Sequence, residues 1–198
     1  CWFLKDLRSF EGNRMNAVMA EKFTNFEWLA KGITAKSPIW GKEGHCTGEK
    51  PLNYEDRLGA IATMDTQLAK SVTSLIVFNG RSESDYEYVR MHLVSIMLQN
   101  AAADNKRQPE QISMNHLAYL IARMVIDFSL NPELEANFTA QGRLYYAGIN
   151  TLQMTSENYR KTWKGYEKLM TIAIEAAIHE AARVIDIYRK NTFKEIRA

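Results

Sequence analysis

Residues 139–168 read TAQGRLYYAGINTLQMTSENYRKTWKGYEK, and this stretch decides the kind of fold that the sequence predicts. Thr139 is suited to cap a short helix that ends at Gly148, because a threonine hydroxyl accepts from a free helical amide and glycine readily takes the left-handed conformation at a helix end. After a turn, Thr155 or Ser156 can cap a second, long and proline-free helix. A short helix, a glycine-containing turn and a second helix are the order typical of a helix-turn-helix.

The first turns of the second helix divide into an aromatic side and a polar side. Tyr159, Trp163 and Tyr166 recur at spacings of four and three, so we expect them to pack inward. The opposite side carries polar and basic groups that can bind base edges and phosphate. Asn158 suits adenine, and Arg143 on the preceding helix is placed to contact phosphate. The candidate DNA contacts are Arg143, Ser156, Asn158, Arg160, Lys161 and Lys164.

The rest of the chain also has helical periodicity and few helix breakers, with 4 prolines and 10 glycines among 198 residues. Apolar side chains repeat at helical spacing in further segments, which polar or glycine-rich stretches separate. These segments are residues 15–31, 56–79, 82–100 and 113–130. The pattern predicts an all-α protein of about six helices, with a C-terminal helix-turn-helix and a long last helix.

The breaks between these segments suggest how the chain is organised. Residues 1–14 are interpreted as an extension or a fragment edge, because the methionine that follows them would make a natural start. Residues 15–104 form an N-terminal helical region, and residues 105–198 form a second one with the helix-turn-helix near residues 139–170. The longest irregular stretch, residues 36–51, is predicted to be a mobile surface loop or a linker.

The distribution of charge points to the C-terminal end of the chain. The net charge is only +2, from 25 basic and 23 acidic side chains. Residues 143–198 carry ten basic and six acidic side chains, whereas residues 1–99 carry twelve of each. The positive surplus therefore lies where the second helix could meet phosphate.

Few features indicate catalysis, a cofactor or a membrane. Cys1 and Cys46 form no CxxC pair, and there is no phosphate-binding glycine motif of the GxxxxGK[ST] or GxGxxG type. The strongest single metal candidate is His179, which has Glu175 one turn before it, but a surface or interhelix histidine is the better interpretation. No apolar run approaches the roughly 20 residues of a membrane span. We therefore predict a cytoplasmic protein that is not an enzyme and that needs no cofactor.

Five stretches of the chain follow one another in an order that resembles a known family. They are AKSP at 35–38, DRLGAIATM at 56–64 with the helix end IMLQNA at 96–101, LIARMVIDF at 120–128 and MTSENYRKTWK at 154–164. Over roughly residues 35–180 this order resembles the late-gene antitermination proteins of lambdoid phages, the Q proteins of the type with a helix-turn-helix. Such proteins carry paired CxxC motifs before the helix-turn-helix, whereas residues 131–138 hold no cysteine. The resemblance thus lacks the zinc-binding cysteines.

The resemblance implies a transcription regulator in a bacterial host cell. It implies binding to double-stranded DNA at a late promoter and loading onto a paused RNA polymerase with its sigma factor. A Nus elongation factor would then help the modified polymerase to pass terminators. Carried over by position, the DNA contacts would be Ser156, Asn158, Arg160, Lys161 and Lys164, whereas no polymerase contact can be carried over.

Two questions stay open at the level of the sequence. The residues are also compatible with a helical adaptor that binds protein and not DNA, because a basic helix face is commonly just solvated. Small side chains such as Ala173, Ala177 and Ala181 allow the last helix to pack closely either within the domain or across a dimer. The sequence predicts neither the oligomeric state nor the DNA target sequence.

Overall fold

The structure is a computed structural model that describes residues 23–30, 54–135 and 138–197. Every regular element in these ranges is helical, which confirms the predicted all-α class. The interpretations of residues 1–14 and 36–51 concern parts of the chain outside these ranges. In chain order the helices are α1 (residues 23–30), α2 (Tyr54–Ala62), α3 (Gln67–Val77), α4 (Glu83–Ala103), α5 (Met114–Leu130), α6 (Pro132–Glu135), α7 (Ala140–Ala147), α8 (Ser156–Asn158) and α9 (Lys164–Arg197).

Contacts divide the chain into two compact units. Among the described residues, the first unit consists of residues 23–30, 54–65 and 180–197, and the second consists of residues 66–135 and 138–179. The predicted boundary between residues 104 and 105 falls inside the second unit, where α4 and α5 pack against each other. The long helix α9 contributes its first half to the second unit and its second half to the first.

The first unit brings α1 and α2 against the second half of α9. The side-chain amide of Asn25 donates to the Ala182 carbonyl at 3.0 Å. Gly59 of α2 lies directly under the Tyr188 ring, where a Cβ atom would sit 2.2 Å from the tyrosine hydroxyl oxygen. Arg57 stacks over the Trp28 ring at 4.9 Å from its centroid and also donates to the Trp28 carbonyl. A larger residue at position 59 would therefore require the Tyr188 side chain to move.

The second unit has its core among α3, α4 and α5. Helix α4 packs against α3 on one side and against α5 on the other. The apolar stripes that the sequence predicts supply this core, and its fully buried members include Val72, Leu75, Leu93, Met97, Leu117, Ile121 and Met124. Each such side chain contributes about 1.5–3 kcal/mol by leaving water, so this core dominates the stability of the unit.

The prediction of a single helix over residues 56–79 is wrong. The helix breaks after Ala62 and restarts at Gln67. The hydroxyl of Thr66 accepts a hydrogen bond from the Ala69 amide at 3.1 Å and so caps the new helix. Met64 lies in the bend between the two helices and is also buried. The apolar pattern of the sequence therefore continues across the break. In the described ranges no helix is both long and apolar enough to cross a membrane.

Candidate nucleic-acid interface

Helix α7 has the boundaries that the sequence predicts. The Thr139 hydroxyl accepts from the Gly142 amide at 3.2 Å and caps its start. Gly148 takes the left-handed conformation with φ 85°, and the amide of Ile149 donates a hydrogen bond to the Leu144 carbonyl at 2.8 Å. These contacts form a Schellman motif, in which the free carbonyls at the helix end are satisfied. The chain therefore leaves α7 in a defined direction.

The turn between α7 and α8 is held by its own side chains. The Asn150 amide donates to the Gln153 side chain at 3.1 Å, and the Gln153 amide donates to the Asn150 side chain at 2.9 Å. Met154 is buried beneath this turn. Thr155, and not Ser156, caps the next helix, because its hydroxyl accepts from the Asn158 amide at 3.3 Å. We call residues 155–168 the recognition segment.

The recognition segment contains a π-helical turn that the sequence analysis did not predict. The turn spans Tyr159–Trp163, between α8 and α9, so the three elements form one uninterrupted helix. A π turn takes up one more residue than an α turn. Residues four apart already lie on one face of an α-helix, and the wider turn reduces the drift that builds up over two such steps, from Tyr159 through Trp163 to Glu167. All three side chains are buried. Such turns occur frequently at functional sites, and no motif in a single sequence signals them.

The aromatic side of the recognition segment packs inward, as predicted. The exposed fractions of Tyr159, Trp163 and Tyr166 are only 1%, 2% and 5%. The rings of Trp163 and Tyr166 lie 5.8 Å apart, and the Tyr166 hydroxyl donates to the Asp104 carboxylate at 2.6 Å. Burial, together with this carboxylate, raises the pKa of Tyr166 to about 12. The helix is thereby fixed to the end of α4.

A buried ion pair joins the recognition segment to α7. The guanidinium of Arg143 lies 2.6 Å from the Glu167 carboxylate, and their side chains are 14% and 7% exposed. Glu167 also accepts a hydrogen bond from the Tyr159 hydroxyl, and burial with this neighbouring carboxylate raises the pKa of Tyr159. Arg143 further contacts the Phe128 ring at 5.2 Å from its centroid. We name Arg143, Glu167 and Tyr159 the buried triad.

The position of Arg143 corrects the predicted set of DNA contacts. Its charge is already paired with Glu167, and its side chain is largely removed from solvent. A phosphate contact would require leaving a buried carboxylate unpaired, which is costly. Arg143 therefore joins two helices and is not included in the surface that we discuss below. The sequence signal for this role is Glu167, a carboxylate within the buried aromatic stripe, and the sequence analysis missed it.

A second polar cluster holds the end of α7 against α5. Arg123 donates to the carbonyls of Tyr146 and Ala147, both at 3.2 Å, and so caps the C-terminus of α7. The Tyr146 hydroxyl donates to the Asp127 carboxylate at 3.1 Å. Burial raises the pKa of Asp127, although the Tyr146 hydrogen bond and the Arg123 charge oppose this shift. The sequence predicts that Arg123 and Asp127 lie on a helix, but it indicates no role for them.

The outward side of the recognition segment displays the remaining predicted contacts. Ser156, Asn158, Arg160, Lys161 and Lys164 are all exposed, together with Lys168. Lys161 lies 2.7 Å from Glu157, and each side chain of this pair is 67% exposed. The Thr162 hydroxyl donates to the Asn158 side-chain oxygen at 3.2 Å. In the described part of the chain Arg160, Lys164 and Lys168 form no ion pair, so their charges face solvent.

The described residues offer no arrangement for a metal ion. They contain no group of three or more histidine, cysteine, aspartate or glutamate side chains placed to hold one. His179 is exposed on α9. The outward side of the recognition segment can instead donate hydrogen bonds and attract anions.

Comparison with known proteins adds no further evidence. No protein-family model matches the chain, and neither a curated protein nor a solved structure is significantly similar to it.

Proposed function

We propose that the chain binds duplex DNA through the outward side of the recognition segment. The observation that carries this proposal is a helix whose aromatic side is packed inward and whose opposite side displays exposed basic and polar side chains. Side chains on a firmly held helix reach base edges without the entropy loss of ordering a loop. The candidate contacts are Ser156, Asn158, Arg160, Lys161 and Lys164, with Lys168 as an added cation.

The local charge supports binding to a polyanion. The recognition segment holds four basic side chains and two acidic ones, and one of the acidic ones is the buried Glu167. Arg143 compensates Glu167, so the outward side carries four cations against the single carboxylate of Glu157. This surplus is local, which is why a net charge of +2 for the whole chain does not exclude DNA binding.

The biological role we propose is transcription antitermination in a bacterial host cell. It rests on the resemblance to the lambdoid Q proteins and on the order of α7, turn and recognition segment. The proposed partners are double-stranded DNA and RNA polymerase with its sigma factor and a Nus elongation factor. In this role the protein is a regulator that needs no cofactor and catalyses no reaction.

The test of DNA binding is its dependence on salt. If the four exposed cations each release one phosphate counterion, the logarithm of affinity should fall against that of salt with a slope of roughly −3 to −4. Lys164→Ala should reduce the slope by about 1 for every sequence, whereas Asn158→Ala should alter the preference between sequences. Lys106→Ala, at an exposed lysine outside the recognition segment, is the matched control. Binding that is absent or independent of salt would refute the proposal.

A protein adaptor is the second candidate, and one observation favours it. Tyr145 and Leu152 are 86% and 87% exposed, on α7 and on the turn after it. Tyrosine is enriched among the residues that carry the binding energy of protein contacts. A transcription assay past a terminator separates the two roles. Read-through that Lys164→Ala reduces and Lys106→Ala leaves unchanged supports the DNA-binding regulator, whereas read-through lost only in Leu152→Ser supports the adaptor.

A further inference from the structure

The outward side of the recognition segment includes one carboxylate, that of Glu157. A negative charge on a surface that approaches phosphate weakens the binding of every DNA sequence. Glu157 lies two residues after the Thr155 cap and directly before Asn158. In helix-turn-helix proteins the N-terminal residues of the second helix are those that contact base edges. In a complex with DNA, Glu157 would therefore lie next to a base edge, although its negative charge lowers the affinity for phosphate.

We infer that Glu157 determines specificity by accepting a hydrogen bond from the N4 amino group of a cytosine in the major groove. This inference rests on the proposed function. An ionised carboxylate has acceptors only, and cytosine presents a donor there without an adjacent acceptor. Guanine and the O4 edge of thymine present acceptors, which the carboxylate repels. Adenine also presents an amino donor, but it lies beside the N7 acceptor, so the charge that lowers general affinity favours cytosine at this position.

The exposed ion pair between Glu157 and Lys161 is compatible with a cytosine contact. The two charged groups are 2.7 Å apart, and both side chains are 67% exposed. Exposed pairs contribute little to stability, so their exchange for DNA groups is inexpensive. On binding, the Lys161 ammonium moves to a phosphate, and the freed carboxylate oxygen accepts from cytosine. Until then Lys161 holds the carboxylate on the outward side of the helix.

A purely structural role for Glu157 has a different signature. An acidic residue in the first turn and a pair four residues apart stabilise a helix by a few tenths of a kcal/mol. Loss of that stabilisation changes the affinity for all DNA sequences alike. Preference between base pairs is therefore the readout that separates the two roles.

The experiment compares the wild type with Glu157→Gln and with Asp186→Asn. Asp186 pairs with Lys190 at 2.6 Å on the same helix, so this control makes the same change of charge in the same kind of pair. The wild type first selects its site from random duplexes, and each base pair of that site is then changed singly. Circular dichroism checks that all three proteins fold.

We expect the wild type to prefer cytosine at one position by about tenfold or more. Glu157→Gln should lose that preference, or transfer it to adenine, while tightening its binding to unrelated duplexes. Asp186→Asn should keep the preference. Uniform tightening in Glu157→Gln with an unchanged preference overturns the assignment of Glu157 but leaves DNA binding intact. Absence of salt-dependent binding by the wild type overturns the proposed function and this inference together.

Discussion

The buried triad provides the sharpest test of how the recognition segment is held. Glu167→Gln keeps the size of the side chain and an oxygen for the Tyr159 hydroxyl, but it removes the charge that Arg143 faces. Leaving one member of a buried ion pair unpaired costs about 3–5 kcal/mol. Arg143 is 14% exposed and contacts the Phe128 ring, so we expect a loss at the lower end, about 3 kcal/mol.

The matched control is Glu157→Gln, which removes a carboxylate at nearly the same distance from its cation. The separations are 2.6 Å for Arg143 and Glu167 and 2.7 Å for Lys161 and Glu157. The control pair is exposed, so its loss should lower the free energy of unfolding by less than about 1 kcal/mol. Burial, and not distance, accounts for the expected difference.

Urea unfolding followed by circular dichroism measures both variants. The double variant Arg143→Met with Glu167→Gln removes both charges, and it should be less destabilised than the two single variants added together, by about 2 kcal/mol or more. Additive losses, or a loss below about 1 kcal/mol in Glu167→Gln, would show that the pair is not a buried, coupled contact.

Two further predictions concern glycines and alkaline pH. Gly148 has φ 85°, so Gly148→Ala should destabilise the second unit by about 1 kcal/mol, whereas Gly165→Ala, in a helix with open space around it, should stabilise by about 0.5–1 kcal/mol in the same urea assay. Equal effects of the two changes would contradict the left-handed turn. Burial and Asp104 raise the pKa of Tyr166 from 10.0 to about 12, so the folded state holds this proton more tightly than the unfolded state does. Its contribution to stability is therefore present below pH 10 and is lost as the pH rises to about 12, and Tyr166→Phe should show a shallower loss when unfolding is measured across that range. An unchanged pH dependence in Tyr166→Phe would contradict the raised pKa of Tyr166.

Local signals in the sequence predicted much of the region around the recognition segment. Thr139 and Gly148 mark the ends of α7 because capping depends on residues a few positions apart. The spacing of Tyr159, Trp163 and Tyr166 predicted which side packs, since a helix places residues three and four apart on one face. The break at Thr66 was missed because apolar periodicity ran through it, and the hydroxyl cap outweighed the pattern.

The sequence by itself determined the helical class, the ends of α7 and the polar side of the recognition segment. These properties depend on neighbours along the chain. Only the tertiary structure decided that Arg143 faces Glu167 and not solvent, that Tyr166 meets Asp104, and that a π turn aligns the buried side chains. The partners in the first two contacts are 24 and 62 residues apart. Whether a charge is free to bind phosphate depends on such distant partners, because burial and pairing, and not residue type, set its availability.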